Sequence, residues 1–131
     1  MKSTSIFAAL IAALMFAASL AYAAGNAVPG VGVGLDHDPG GNLVAQVKTD
    51  AKGNATFGKL EPGRYVVFVP DLSAFKGPVV FSVSVNGGAP MLSEPIKPGK
   101  GKTYAMDKNG RKLMPTIDKA GGRIEVTIFD R

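Results

Sequence analysis

The strongest constraint on the fold is the alternation of apolar and polar residues in several short stretches. In residues 79–85 (VVFSVSV) the odd positions are apolar and serine stands at 82 and 84, and in residues 123–128 (RIEVTI) the even positions are apolar. Successive side chains of a β-strand point to opposite faces of the sheet, so this period of two predicts strands with one buried face. Beyond the first 23 residues, no stretch keeps a helical period for three turns.

Turn signals separate these stretches. Pro62 and Gly63 favour a type II turn, and the pair Asn109-Gly110 is a strong signal for a tight hairpin. Residues 65–69 (YVVFV) are apolar without alternation, which is typical of a central strand buried on both faces. The pattern predicts eight strands, near 31–35, 43–49, 55–60, 64–69, 79–85, 102–106, 111–114 and 123–129.

Short strands joined by such turns predict an all-β fold, an antiparallel β-sandwich of about seven or eight short strands. The chain has no cysteine, so the core must stabilise the fold without disulfides. Its predicted members are Val31, Val33, Leu35, Val47, Phe57, Leu60, Tyr65, Val67, Phe81, Val83, Ile124, Val126 and Ile128.

The first 23 residues have the features of a secretory signal peptide. Lys2 is followed by an uncharged, mostly apolar stretch over 6–20, and then by Ala21-Tyr22-Ala23, which suits a signal peptidase. The apolar stretch is short for a membrane anchor, and no cysteine follows it that a lipid could modify. We therefore expect cleavage after Ala23 and a single exported domain over residues 24–131, periplasmic or secreted.

The middle of the chain, residues 28–70, resembles a known family. The motif that carries the resemblance is Thr49-Asp50-x-x-Gly53-x-x-x-Phe57-x-x-Leu60-x-Pro62-Gly63-x-Tyr65. It is similar to the carboxypeptidase regulatory-like domains and to the collagen-binding B-repeat domains of bacterial surface proteins. The resemblance implies an immunoglobulin-like or prealbumin-like sandwich, a bacterial host, and a role as a stalk, spacer or binding accessory.

Positive charge is concentrated near the carboxyl end. The chain carries a net charge of +5, and residues 97–112 contain one acid, Asp107, beside six bases: Lys97, Lys100, Lys102, Lys108, Arg111 and Lys112. This basic region is a candidate binding site for an acidic glycan or an anionic envelope surface. The alternative is a solvated loop whose lysines protect a sheet edge. Nucleic acid is a less favoured partner, because export removes most of it and Tyr104 is the only nearby ring for stacking.

One cluster of potential metal ligands occurs in the sequence. Asp36, His37 and Asp38 are adjacent and together have the donors that a divalent cation requires. The alternative is a solvated turn, because Pro39-Gly40 follows at once and Asp before Pro-Gly is common in turns. Adjacent residues of an extended chain also point alternately, which leaves at most Asp36 and Asp38 on one face. We predict no bound metal or cofactor.

No catalytic constellation is recognisable in the sequence. His37 is the single histidine, and none of the serines after the leader lies in a Gly-x-Ser-x-Gly motif. The sequence therefore predicts an exported, non-catalytic β-sandwich module with a structural or binding-accessory role. The alternative is a protein that binds an acidic glycan or anionic surface through residues 97–112, and an exported protein partner also stays open.

Overall fold

The computed structural model describes residues 25–130, which form two antiparallel β-sheets and contain no helix. The predicted signal peptide lies outside the described residues. The strands are β1 (Gly32–His37), β2 (Asn42–Lys48), β3 (Asn54–Leu60), β4 (Gly63–Val69), β5 (Val79–Val85), β6 (Met91–Leu92), β7 (Thr103–Tyr104), β8 (Thr116–Ile117) and β9 (Gly122–Asp130).

The two sheets confirm the predicted antiparallel β-sandwich. The first sheet has the order β2-β1-β4-β7, with β8 paired to the start of β4, and the second has the order β3-β9-β5-β6. Strand β4 lies between β1 and β7, and residues 65–69 are all buried. This is the central position that its unbroken apolar sequence predicts.

In the second half of the chain one predicted strand is absent, and two short strands are present that the sequence pattern does not predict. Residues 111–114 form no strand. Lys112 makes an isolated bridge to Met106, and the next strand along the chain, β8, pairs with β4. Strands β6 and β8 were not predicted, because two residues are too few to show a period. The described residues therefore form nine strands instead of seven or eight.

The core lies between the inner faces of the two sheets. Phe57 and Ile124 of the second sheet are buried there together with Leu35 and Val67 of the first. The predicted core residues are buried with one exception, Val47, which is half-buried because β2 is the edge strand of its sheet.

A β-bulge explains the one break in the alternation of β2. Leu35 pairs with Ala45 and Asp36 pairs with Leu43, so Val44 is an extra residue without a partner in β1. The bulge lets both Val44 and Ala45 pack against the core. Leu43 stands beyond the bulge and is 62% exposed. A bulge also bends an edge strand, which makes pairing with another chain less favourable.

The turn before β4 is held by a tyrosine. The φ of Gly63 is 151°, whereas a type II turn needs about +80° at this position, so the predicted turn type is wrong. The Tyr65 hydroxyl donates a hydrogen bond to the carbonyl of Glu61, and the Tyr65 amide donates to the carbonyl of Pro115 (3.0 Å). Tyr65 thereby joins the turn, the core and the approach to β8.

Replacing Phe57 with alanine tests the core. Phe57 is 3% exposed, and its loss leaves a cavity between the sheets that costs about 3–5 kcal/mol of unfolding free energy. Urea unfolding of the purified protein measures this loss. The matched control is Leu43→Ala, which removes a side chain that is 62% exposed and changes stability by less than about 0.5 kcal/mol. Equal midpoints for the two variants contradict the core assignment.

Candidate functional site

The outer face of the first sheet carries a cluster of charged and aromatic side chains. Val33 and Leu35 of β1 point into the core, so Gly34 and Asp36 lie on the opposite face. Phe68 of β4 pairs with Gly34, and a Cβ at Gly34 would lie 2.0 Å from Cζ of Phe68. Only glycine at position 34 therefore allows the phenyl ring to lie on the sheet.

Asp36 is the centre of this cluster and is completely buried. Its Oδ2 accepts three hydrogen bonds, from Lys102 Nζ (2.7 Å), from the Tyr104 hydroxyl (2.8 Å) and from the amide of Gly41 (2.9 Å). Its Oδ1 is buried and accepts no hydrogen bond from the described residues. We call Asp36, Phe68, Lys102, Tyr104 and Lys112 the outer cluster.

The hydrogen bonds keep Asp36 ionised. Burial by itself raises the pKa of this carboxyl, but the hydrogen bonds from Lys102, Gly41 and Tyr104 and the charge of Lys102 outweigh burial and lower the pKa below 3.8. The hydrogen bond to Asp36 is the main reason why the pKa of Lys102 is raised above 10.5. At neutral pH the two side chains therefore form an ion pair.

The two lysines of the outer cluster also lie over aromatic rings. Lys102 Nζ is 4.1 Å from the centroid of Phe68, and Lys112 Nζ is 4.2 Å from the centroid of Tyr104, both within the range of a cation–π contact. Lys112 also donates a hydrogen bond to the carbonyl of Pro39 (2.6 Å). These contacts hold the β1–β2 turn against residues 102–112, the segment that carries β7.

The structure does not bring the six predicted basic residues together. Lys102 and Lys112 belong to the outer cluster. Lys97 follows Ile96, which bridges the first residue of β5, and Lys100 follows Gly99, whose carbonyl accepts a hydrogen bond from the amide of Leu72. Both are exposed, at the end of the sandwich where β4 ends and β5 begins.

Lys108 and Arg111 are exposed in the turn over residues 107–111, near the opposite end of β4. Asp107 shapes this turn, because its Oδ1 accepts hydrogen bonds from the amides of Asn109 (2.8 Å) and Arg111 (3.0 Å). Among residues 25–130, neither Lys108 nor Arg111 forms a salt bridge. Their charges remain available to a ligand in solution.

The three candidate metal ligands have different surroundings. Asp36 is buried against an ammonium group, whereas His37 is exposed and its ring stacks on Tyr65 with centroids 5.1 Å apart. Asp38 begins the turn and its amide donates to the carbonyl of Arg64 (3.0 Å). Over residues 25–130, no group of three His, Cys, Asp or Glu side chains is placed to hold a metal ion.

The ion pair between Asp36 and Lys102 is not predicted by the sequence pattern. The two residues are 66 positions apart, and no local pattern joins them. The one usable signal is the alternation Gly32-x-Gly34-x-Asp36, which places two residues without side chains and one carboxylate on the same face of β1. A carboxylate on such a strand face requires a partner from another element if anything covers it.

Comparison of the chain with protein-family models, with curated proteins and with solved structures finds no match. Residues 25–130 include no helix with the length and apolar character of a membrane span.

The pH dependence of stability tests the role of Asp36. The pKa of Asp36 is 3.8 in the unfolded chain and lower in the folded protein, so its contribution to stability is complete above pH 3.8. That contribution is lost as the pH falls from 3.8 through the folded pKa. Asp36→Asn should lower the unfolding free energy at pH 7 by about 1.5–3 kcal/mol and flatten its acid dependence, as measured by urea unfolding from pH 7 to pH 2.

The control for this prediction is Asp71→Asn. The pKa of Asp71 is also lowered, by hydrogen bonds from the amide and hydroxyl of Ser73, but this carboxylate is exposed. Its replacement should leave the stability at pH 7 nearly unchanged. An unchanged midpoint for Asp36→Asn at pH 7 would show that the buried ion pair makes no contribution.

Proposed function

We propose that this chain is an exported, non-catalytic β-sandwich module with a structural or binding-accessory role. Residues 1–23 act in this proposal as a signal peptide that is removed after Ala23. The kinship with carboxypeptidase regulatory-like and B-repeat domains belongs to the same proposal and rests on the motif in residues 28–70.

The observation that supports this role is that the buried polar side chains all form hydrogen bonds that connect strands or turns. Those of the described residues are Asp36, Thr49 and Ser93. Thr49 Oγ1 accepts a hydrogen bond from the Val31 amide (2.9 Å) and donates to the Val28 carbonyl (2.8 Å). Ser93 Oγ accepts from the amide of Phe81 (2.8 Å), which ties the end of β6 to β5. With Asp36, all three polar groups fasten strands or turns.

Catalytic side chains usually have a different environment. They line a cleft, and neighbouring groups shift their pKa towards the pH at which they exchange protons. His37 lies against the ring of Tyr65 at the end of the core, and the pKa of Asp36 is shifted away from neutrality. These environments favour a module that holds its shape and presents a surface.

The proposal is tested with the full chain expressed in a bacterial host. The protein recovered from the periplasm or medium should begin at Ala24, as read by N-terminal sequencing. A chain that stays in the cytoplasm with Met1 intact would refute export. A hydrolytic activity that co-purifies with the protein and disappears in His37→Ala would refute the non-catalytic role.

The exposed cations favour a second candidate function, binding of an anionic polymer or envelope surface. Lys108 and Arg111 lie in a turn that Asp107 already holds in shape. The backbone of this turn therefore loses little conformational freedom when a ligand binds. Lys97 and Lys100 are exposed at the other end of the sandwich. Lys102 and Lys112 contribute less, because each already has partners in the outer cluster.

Charge removal from the turn tests this second function. Lys108→Gln combined with Arg111→Gln should weaken binding to vesicles that contain anionic lipid by about thirtyfold, at about 1 kcal/mol for each charge near the surface. Co-sedimentation at low salt measures the affinity, and added salt should weaken binding of the wild-type protein to these vesicles. A soluble acidic polysaccharide, used as a second probe, distinguishes a glycan from a lipid surface.

The matched control removes the same charge elsewhere. Lys52→Gln with Lys59→Gln changes two exposed lysines at and near β3 and should leave binding almost unchanged. Equal loss in both double variants would mean that net charge alone drives binding. Lys102 is unsuitable for such a test, because its loss also removes the partner of buried Asp36.

A further inference from the structure

The described residues contain two Asn-Gly pairs, Asn86-Gly87 and Asn109-Gly110. Asparagine followed by glycine is prone to an internal reaction, because no Cβ on the glycine hinders approach of its amide nitrogen to the asparagine side chain. We propose that Asn109 is a site of spontaneous deamidation in the folded protein and that Asn86 is protected from the same reaction.

The side chain of Asn86 is held by the second sheet. Its Oδ1 accepts a hydrogen bond from the amide of Arg123 (2.9 Å), and its own amide donates to the Arg123 carbonyl (2.9 Å). These two bonds join the end of β5 to the start of β9. The side-chain amide of Asn86 cannot turn towards Gly87 unless this connection opens.

The side chain of Asn109 has no such restraint. It is exposed, and its side chain forms no hydrogen bond with the other described residues. Gly110 is also exposed, has a φ of 75°, and donates its amide hydrogen bond to the carbonyl of Asp107 at 3.1 Å, the longest bond in this turn. Loss of that single bond frees the nucleophilic nitrogen.

Charges beside the turn favour the reaction. Lys108 and Arg111 flank the pair, and nearby positive charge favours removal of the proton from the Gly110 amide. The negative charge of Asp107 opposes this effect, but its Oδ1 is already engaged by two backbone amides. The cation beside Gly87 is Arg123, whose Nε donates a hydrogen bond to the carboxylate of Glu125 (2.6 Å).

The chemistry needs only water. The deprotonated nitrogen of Gly110 attacks Cγ of Asn109, a new C–N bond forms, and the side-chain nitrogen leaves as ammonia after taking up a proton. Water then adds to either carbonyl of the resulting cyclic imide and opens it. The product at position 109 is aspartate or isoaspartate, so an amide has been exchanged for a carboxylate.

The modification changes the charge of the basic region. Residues 97–112 contain six bases and one acid, and deamidation raises the number of acids to two. Its effect on binding rests on the second proposed function, since the new carboxylate lies between the two exposed cations of the turn. The reaction itself does not depend on any function of the protein.

Peptide mapping by mass spectrometry tests the proposal. The purified protein is incubated at mildly alkaline pH and digested with a protease that leaves residues 107–112 in one peptide. Amide loss should accumulate at Asn109 about tenfold faster than at Asn86, whose additional hydrogen bonds must break first. Equal rates at the two sites, or no loss at Asn109, would overturn the proposal.

Two variants separate the contribution of the turn from that of the dipeptide. Asp107→Ala removes the acceptor that holds Asn109 and Arg111 and should accelerate the reaction. Asn109→Gln keeps an amide in the same place, but its longer side chain should abolish the mass change at this position. An unaltered rate in Asp107→Ala would show that the turn does not control the reaction.

Asn109→Asp distinguishes failure of this proposal from failure of the binding function. If anionic vesicles bind this variant more weakly than the wild type, deamidation lowers the affinity of the basic turn. If both proteins bind equally while amide loss at Asn109 still occurs, the site stands and its effect on binding is refuted. Circular dichroism of each variant verifies that the fold is unchanged.

Discussion

Burial of strand β4 on both faces is the constraint around which the sandwich is arranged. Tyr65, Val67 and Val69 face the second sheet, whereas Val66 and Phe68 face away from it and are equally buried. Apolar side chains on an outer face must be covered, because each exposed one forgoes about 1.5–3 kcal/mol of transfer free energy. Phe68 is covered by Lys102 and Tyr104, whose ammonium group and ring lie against the phenyl ring.

Local periodicity was sufficient to predict the long strands, since a period of two depends only on which side of a strand is buried. It located β5 at 79–85 and identified β4 as central. It failed where the deciding contacts are distant in sequence. Residues 116 and 117 form β8 by pairing with Gly63 and Arg64, and the sequence of residues 111–117 does not indicate that partner. The turn before β4 likewise depends on the hydroxyl of Tyr65, not only on Pro62 and Gly63.

The basic region shows why charge along a sequence differs from charge on a surface. Within residues 97–112 the six cations appear as one group, but the chain crosses the length of the first sheet in this interval. Two of the lysines, Lys102 and Lys112, contact Asp36, Phe68, Tyr104 and the β1–β2 turn. The other four are divided between opposite ends of the sandwich. The count of bases suggested a single candidate site, whereas the topology places the exposed bases at two separate ends of the sandwich.

The ion pair between Asp36 and Lys102 acts mainly on the position of the segment that carries β7. Removing a carboxylate from water costs several kcal/mol, and the three hydrogen bonds together with the charge of Lys102 exceed this cost by a modest amount. The ion pair has a larger effect on the alternative registers of this segment, which it destabilises. A shift by one residue would turn Lys102 and Tyr104 to the other face and leave the buried charge of Asp36 without its two side-chain donors. The requirement to pair one buried carboxylate thus selects a single register for a segment whose own strands are too short to define one.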